Sequence, residues 1–147
     1  MTTSTADNFS QNAYMGAYGN VAVVVADKAA LGTLAASDTI DLCRIPGGAR
    51  IFTGIVTIAT AVTTATLAIG VRYADGTSTG GTTGTAVLSG TGVALTTALA
   101  PQVLNFQPFV NDVDTIVYAT NPNTTSWGPG ANTKLSVQLM YSAEGTK

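Results

Sequence analysis

From Val21 onward, apolar and polar residues alternate with a period of two. The pattern is cleanest over 66–73, where Leu67, Ile69, Val71 and Tyr73 share one face and Thr66, Ala68, Gly70 and Arg72 the other. Successive side chains of a strand point to opposite faces, so this alternation predicts a half-buried β-strand. The stretch 133–141 repeats it, with Leu135, Val137, Leu139 and Tyr141 inward and Lys134, Ser136 and Gln138 outward. Further strands are predicted over 21–26, 39–45, 49–59, 86–99 (interrupted), 103–109 and 115–120. Both faces of 49–59 are largely apolar, Ile51 and Ile55 on one side and Phe52, Val56 and Ile58 on the other. That strand is expected to be central, with Gly54 marking a bulge.

Turn chemistry separates these runs. Pro46-Gly47-Gly48 supplies a fixed φ and then residues that tolerate positive φ; Asp75-Gly76, Asn121-Pro122-Asn123 and Gly128-Pro129-Gly130 punctuate the later strands. The Gly/Thr/Ser stretch 76–84 reads as a surface loop. Only 27–36, rich in Ala but broken by Gly32 and Thr33, offers a short helix or an irregular loop. About eight strands in one domain predict an all-β fold, an antiparallel two-sheet sandwich of jelly-roll type over 21–147. Residues 1–20 are polar with scattered aromatics and predict an extended, flexible N-terminal arm. Its Phe9, Tyr14 and Tyr18 are candidate partner contacts.

Composition changes this picture in one respect. Charged residues make up 10% of the 147-residue chain, where a soluble domain carries about 25%. The net charge is −2 and no basic run exists, which argues against nucleic acid and against a polybasic membrane contact. Thr, Ser, Gly and Ala fill the polar positions instead. Such a surface can press against another protein without stripping water from many ions. The longest apolar run, 21–26, is far shorter than the ~20 residues that span a bilayer. The first residues have neither a basic nor an apolar signal region, so synthesis in a cytoplasm is expected.

Catalytic chemistry finds little to work with. The chain has no His, which removes the usual general base and activator of Ser or Cys nucleophiles. Cys43, the single cysteine, sits among Leu42 and Ile45 and reads as a buried, inert thiol. Asp112 and Asp114 would share a strand face, yet no further acid lies nearby to complete a cation site, and a turn before a strand is the simpler reading. Gly80-Gly81-Thr82-Thr83-Gly84 lacks the Lys and helix N-terminus of a phosphate cradle. We therefore expect no enzyme, no cofactor and no metal. Trp127, in a Gly/Pro loop, is either an interface or sugar-stacking residue or a core residue.

The stretch from Leu34 to Ile51, with Ile45-Pro46-Gly47-Gly48-Ala49-Arg50-Ile51 at its corner, resembles small structural proteins of tailed bacteriophages. Thr66-Leu67-Ala68-Ile69-Gly70-Val71, leading to Ala74-Asp75-Gly76-Thr77, matches in kind. The resemblance is to capsid decoration (cement) or minor head proteins. It implies a jelly-roll-like fold, a homotrimer, the major capsid protein as partner and a place on the virion surface. Arg50 is expected to pair at the corner with Asp38 or Asp41. A carbohydrate- or receptor-binding fibre-tip module, with Trp127 and the tyrosines lining a groove, is the second reading; another shell or filament subunit is the third.

Overall fold

A computed structural model describes residues 1–9, 21–62, 65–76, 88–89, 92–126, 128 and 133–143. The strands are β1 (Thr3–Thr5), β2 (Val21–Lys28), β3 (Thr39–Ile45), β4 (Ala49–Ile58), β5 (Thr66–Tyr73), β6 (Val93–Ala94), β7 (Gln102–Val103), β8 (Phe109–Val110), β9 (Thr115–Thr120) and β10 (Leu135–Ala143). They form two five-stranded sheets. The first has the order β1-β3-β9-β5-β6; the second has β2-β10-β4-β7, with β8 also on β4. The antiparallel pairs nest like one long hairpin: β2 with β10, β3 with β9, β4 with β7 and β8, β5 with β6. This nesting rolled across two sheets is the jelly roll that the strand count predicted.

The two sheets enclose one apolar core. Leu135, Val137, Leu139 and Tyr141 of β10 point into it, as do Leu67, Ile69 and Val71 of β5. On β4 the inward set is Ala49 and Ile51, then Gly54, Val56 and Ile58. The phase slips because Met140 pairs with Thr53 and Tyr141 with Ile51, leaving Phe52 as the extra residue of a β-bulge. The bulge is therefore at Phe52 and not at Gly54, and it puts Ile51 and Ile55 on opposite faces. A one-residue slip inverts every side chain beyond it, which is why both faces of this segment read as apolar.

Gly54 has a packing role instead. A Cβ there would lie 2.5 Å from Leu139 Cδ2, 2.6 Å from Leu104 Cδ1 and 3.1 Å from the Gln138 carbonyl oxygen. The missing side chain is what lets both leucines fill the core beside β4. Gly54→Ala is expected to destabilise by about 1–3 kcal/mol through over-packing. Adding Leu104→Val should restore part of that loss in urea denaturation. Strictly additive losses in the double variant would show that crowding is not the cause.

Of the two readings of 27–36 the structure takes the irregular one: no helix forms, since β2 continues to Lys28 and Leu34 makes an isolated bridge. The structure departs from the sequence reading in two further places. The strand expected over 103–109 is split: Leu104 N–H still bonds the Gly54 carbonyl, but 104–108 leave the ladder before β8 rejoins it. Pro108 has no N–H to donate and Phe52 bulges opposite, so the ladder has nothing to continue on. Of the strand expected over 86–99, only Val93–Ala94 is strand among the described residues.

The N-terminal segment begins inside the first sheet. β1 runs parallel to β3 with Thr3 beside Thr39 and Thr5 beside Asp41, and Ala6 is buried. Residues 10–20 lie outside the described residues.

Candidate assembly surface

Neither the single cysteine nor the Asp112/Asp114 pair forms a reactive or metal-binding centre among the described residues. Cys43 is fully buried on β3, and burial pushes its thiol up to about 12, so the nucleophilic thiolate does not form near neutral pH. Asp114 accepts from Gly47 N–H at 2.9 Å and from Arg44 Nη2 at 2.7 Å, tying the β3–β4 corner to the start of β9. Asp112 is exposed, and among the described residues no cluster of three or more His, Cys, Asp or Glu could hold a metal ion.

Arg50 is not the partner of the corner acids. Arg72 Nη2 reaches both carboxylate oxygens of Asp41 at 2.7 Å while its guanidinium lies 5.3 Å from the Tyr118 ring centroid. These residues come from β5, β3 and β9, so the cluster clamps three strands of the first sheet. Asp38 instead accepts the N–H groups of Thr2 (2.6 Å) and Ala35 (3.0 Å). Arg50 stands on β4, in the other sheet.

These carboxylates set a pH dependence whose sign can be worked out. Backbone N–H bonds hold Asp38 and Asp114 below the ordinary 3.8. Burial pushes Asp27 up, but its bonds to Lys134 and Ser136 and the Lys134 charge outweigh that and leave it lowered. All three stabilise the fold above 3.8 and lose that contribution as pH falls through their lowered values. Asp41 is raised, by burial against the opposing pull of Arg72, and works in the other sense: its ionisation weakens the fold as pH rises above 3.8. Three against one, the melting temperature is expected to be lower at about pH 3 than at about pH 6. A higher value at about pH 3 would give the balance to Asp41.

Phe9 is half-buried and packs against the core of its own domain. Tyr14, Tyr18 and Trp127 lie outside the described residues, so the expected aromatic contacts are not brought together in a described site. What the structure does bring together is the outer face of the second sheet. Val21, Val23 and Val25 of β2 point away from the core, and Val21 and Val23 are 61% and 54% exposed. Met140 of β10 pairs with Val23 on one side and Thr53 on the other. In the next row Gln138 lies between Val25 and Ile55, and Ile55 is paired with Val103, which is 69% exposed. Val110, paired with Arg50, extends the face toward the far end of β4.

The face is therefore apolar across four neighbouring strands, with its charges at the ends. Arg50 stands at one end; the Lys134–Asp27 ion pair, at 2.9 Å, stands at the other. An exposed apolar patch rimmed by polar groups is a physical signature of a protein contact. Its sequence signal was the unbroken apolar run of β2: where 21–26 has no polar alternation, both faces of the strand are apolar, and only one can face the core.

No protein-family model matches the chain, and no curated protein matches it in sequence. Solved structures do. A chain in the capsid of Ralstonia phage GP4 overlays on 99% of this chain and over 100% of its own length, at a TM-score of 0.74 and 18% identity. A chain in the capsid asymmetric unit of cyanophage Pam1 overlays on 90% of this chain and over 94% of its own, at a TM-score of 0.57 and 21% identity. The jelly roll described here is thus an architecture that chains of bacteriophage capsids use from end to end.

Proposed function

We propose that this chain is a non-enzymatic structural subunit of a bacteriophage virion that decorates and stabilises the capsid, binding across neighbouring capsomers as a homotrimer. The observation that carries the reading is the apolar, nearly charge-free outer face of the second sheet, on a fold that capsid chains share over their full length.

The physical logic is adhesion. A face built from valines, a methionine and an isoleucine gains by leaving water and gives up few solvated ions on contact. Each contact is modest, and symmetry repeats it across the shell, so avidity replaces a single strong site. Partners are the chain's own copies and the major capsid protein; the location is the capsid surface.

Particle imaging with and without the protein tests this directly: added density should lie on the outside of the shell at junctions between capsomers, three copies together. Density inside the shell or at a tail fibre would overturn it. Binding should also survive high salt, because few screened ion pairs contribute. Steep release from capsids between roughly 0.1 and 1 M salt would show that the contact is ionic.

A further inference from the structure

Residues 1–9 close the open side of the sandwich by bonding to both sheets in turn. β1 first pairs with the edge strand of the first sheet: Thr39 N–H donates to the Thr2 carbonyl at 2.9 Å, and Ala6 N–H to the Asp41 carbonyl at 2.6 Å. The chain then crosses to the edge strand of the second sheet, where Asp7 N–H donates to the Asp27 carbonyl at 2.7 Å. There the Asn8 side chain imitates a strand. Its Oδ1 accepts from Asp27 N–H at 2.9 Å and its Nδ2 donates to the Val25 carbonyl. Lys28 Nζ adds a bond to the Thr5 carbonyl at 2.9 Å. The segment is thus a clasp over two strand edges, and unpaired strand edges are templates for pairing with another chain.

Two properties make this clasp transferable. Its hold is mostly polar: β1 is Thr-Ser-Thr with only its middle residue partly covered, and the apolar anchors are the small Ala6 and the half-buried Phe9. Its tether is longer than closure on its own domain requires. Residues 10–20 can span about 40 Å at ~3.4 Å per residue. Yet Asn8 is bonded to Val25, only four residues along β2 from Val21, or about 13 Å away at the rise of a strand. The surplus is about the width of a small domain.

We propose that the clasp is exchanged between copies of this chain, residues 1–9 of one subunit docking on the β2 and β3 edges of the next. The exchanged clasp makes the same bonds it makes at home, so the energies of the two states differ mainly in the tether. A tether of this length gives the home edge an effective concentration in the millimolar range. Dilute subunits therefore keep their own clasp, whereas subunits held side by side in an assembly present a neighbour's edges at comparable concentration. This linkage is separate from docking through the apolar outer face and needs no shell to be tested.

Thr3 and Thr39 are register partners with hydroxyl oxygens 3.0 Å apart, so a pair of cysteines there suits a disulfide. Thr3→Cys and Thr39→Cys chains, made separately, mixed at millimolar concentration and oxidised, should yield a covalent dimer containing one of each. The fully buried Cys43 stays out of the reaction. The expected yield rises with subunit concentration and falls at least tenfold at micromolar dilution. If the Thr3→Cys/Thr39→Cys double variant forms its intrachain bond readily while the mixture gives no mixed dimer at millimolar concentration, exchange does not occur. A double variant that forms no bond under oxidation overturns the docked register itself, and the proposal with it.

Discussion

Asn121→Ala is expected to destabilise the fold by about 2–4 kcal/mol, the largest loss from any single polar side chain described here. Asn121 is 1% exposed at the end of β9. Its Nδ2 donates to the carbonyls of Leu34 (3.0 Å), Thr125 (3.0 Å) and Ala35 (3.3 Å), and its Oδ1 accepts from Asn123 N–H at 2.9 Å. Its backbone joins the same connection: Ser37 N–H donates to its carbonyl, and its N–H donates to that of Asp38. One side chain thus pins the β2–β3 connection to the loop after β9. Truncation leaves a buried carbonyl and an amide unpaired in addition to removing the bonds, and unpaired buried groups cost about 1–3 kcal/mol each. For a domain of this size the melting temperature should fall by roughly 5–12 °C. The urea midpoint should drop with the slope unchanged. A loss under about 0.5 kcal/mol would mean that water replaces the amide at no cost.

Long-range partners also explain why 27–36 takes the irregular course and not the helical one. The stretch 27–36 has the alanines of a helix, but a helix needs the carbonyls of its own residues for its N–H groups four positions on. Here Asp27 and Lys28 are paired with Ser136 and Leu135 of β10, and the Leu31 N–H donates to the Thr133 carbonyl, all partners far away in the chain. Ser37 meanwhile adopts a left-handed φ of 64°, which ends any local helix. Local composition cannot register a long-range partner of this kind.

Period-two alternation, by contrast, is a local property and was legible almost residue for residue: 39–45, 66–73 and 115–120 are β3, β5 and β9. The strand order was not, because each pair in a nested jelly roll joins residues far apart in sequence. Nothing local distinguishes β2 with β10 from β2 with β4. The slip at Phe52 was hidden for a related reason. A bulge is set by the partner strand's register, and Gly54, the residue that looked irregular, is regular in backbone and special only in what packs on it. The aliphatic outer face was not legible either. Aromatics drew attention, whereas the described face is aliphatic, and exposed valines on a strand look like core valines until the sheet shows which way they point.

Val23→Lys combined with Met140→Glu should leave the subunit folded and weaken its binding to capsids at least about 100-fold. The two positions are direct cross-strand partners on the outer face, 54% and 41% exposed. On the free subunit the new charges sit opposite one another in water, which is neutral to slightly favourable, so stability should change by under about 1 kcal/mol. Docking must strip water from both charges at once, and in an apolar contact their mutual attraction does not recover that cost. The loss should appear in the dissociation rate rather than in the association rate, since the pair carries no net charge to repel a partner at a distance. Val23→Thr is the milder control: it keeps the branched shape, adds one hydroxyl to the contact and should weaken binding by roughly tenfold or less. Binding of the charged pair variant at wild-type strength, with an unchanged urea midpoint, would remove the outer face of the second sheet from the contact and leave the clasp edge as the surface through which this jelly roll meets its neighbours.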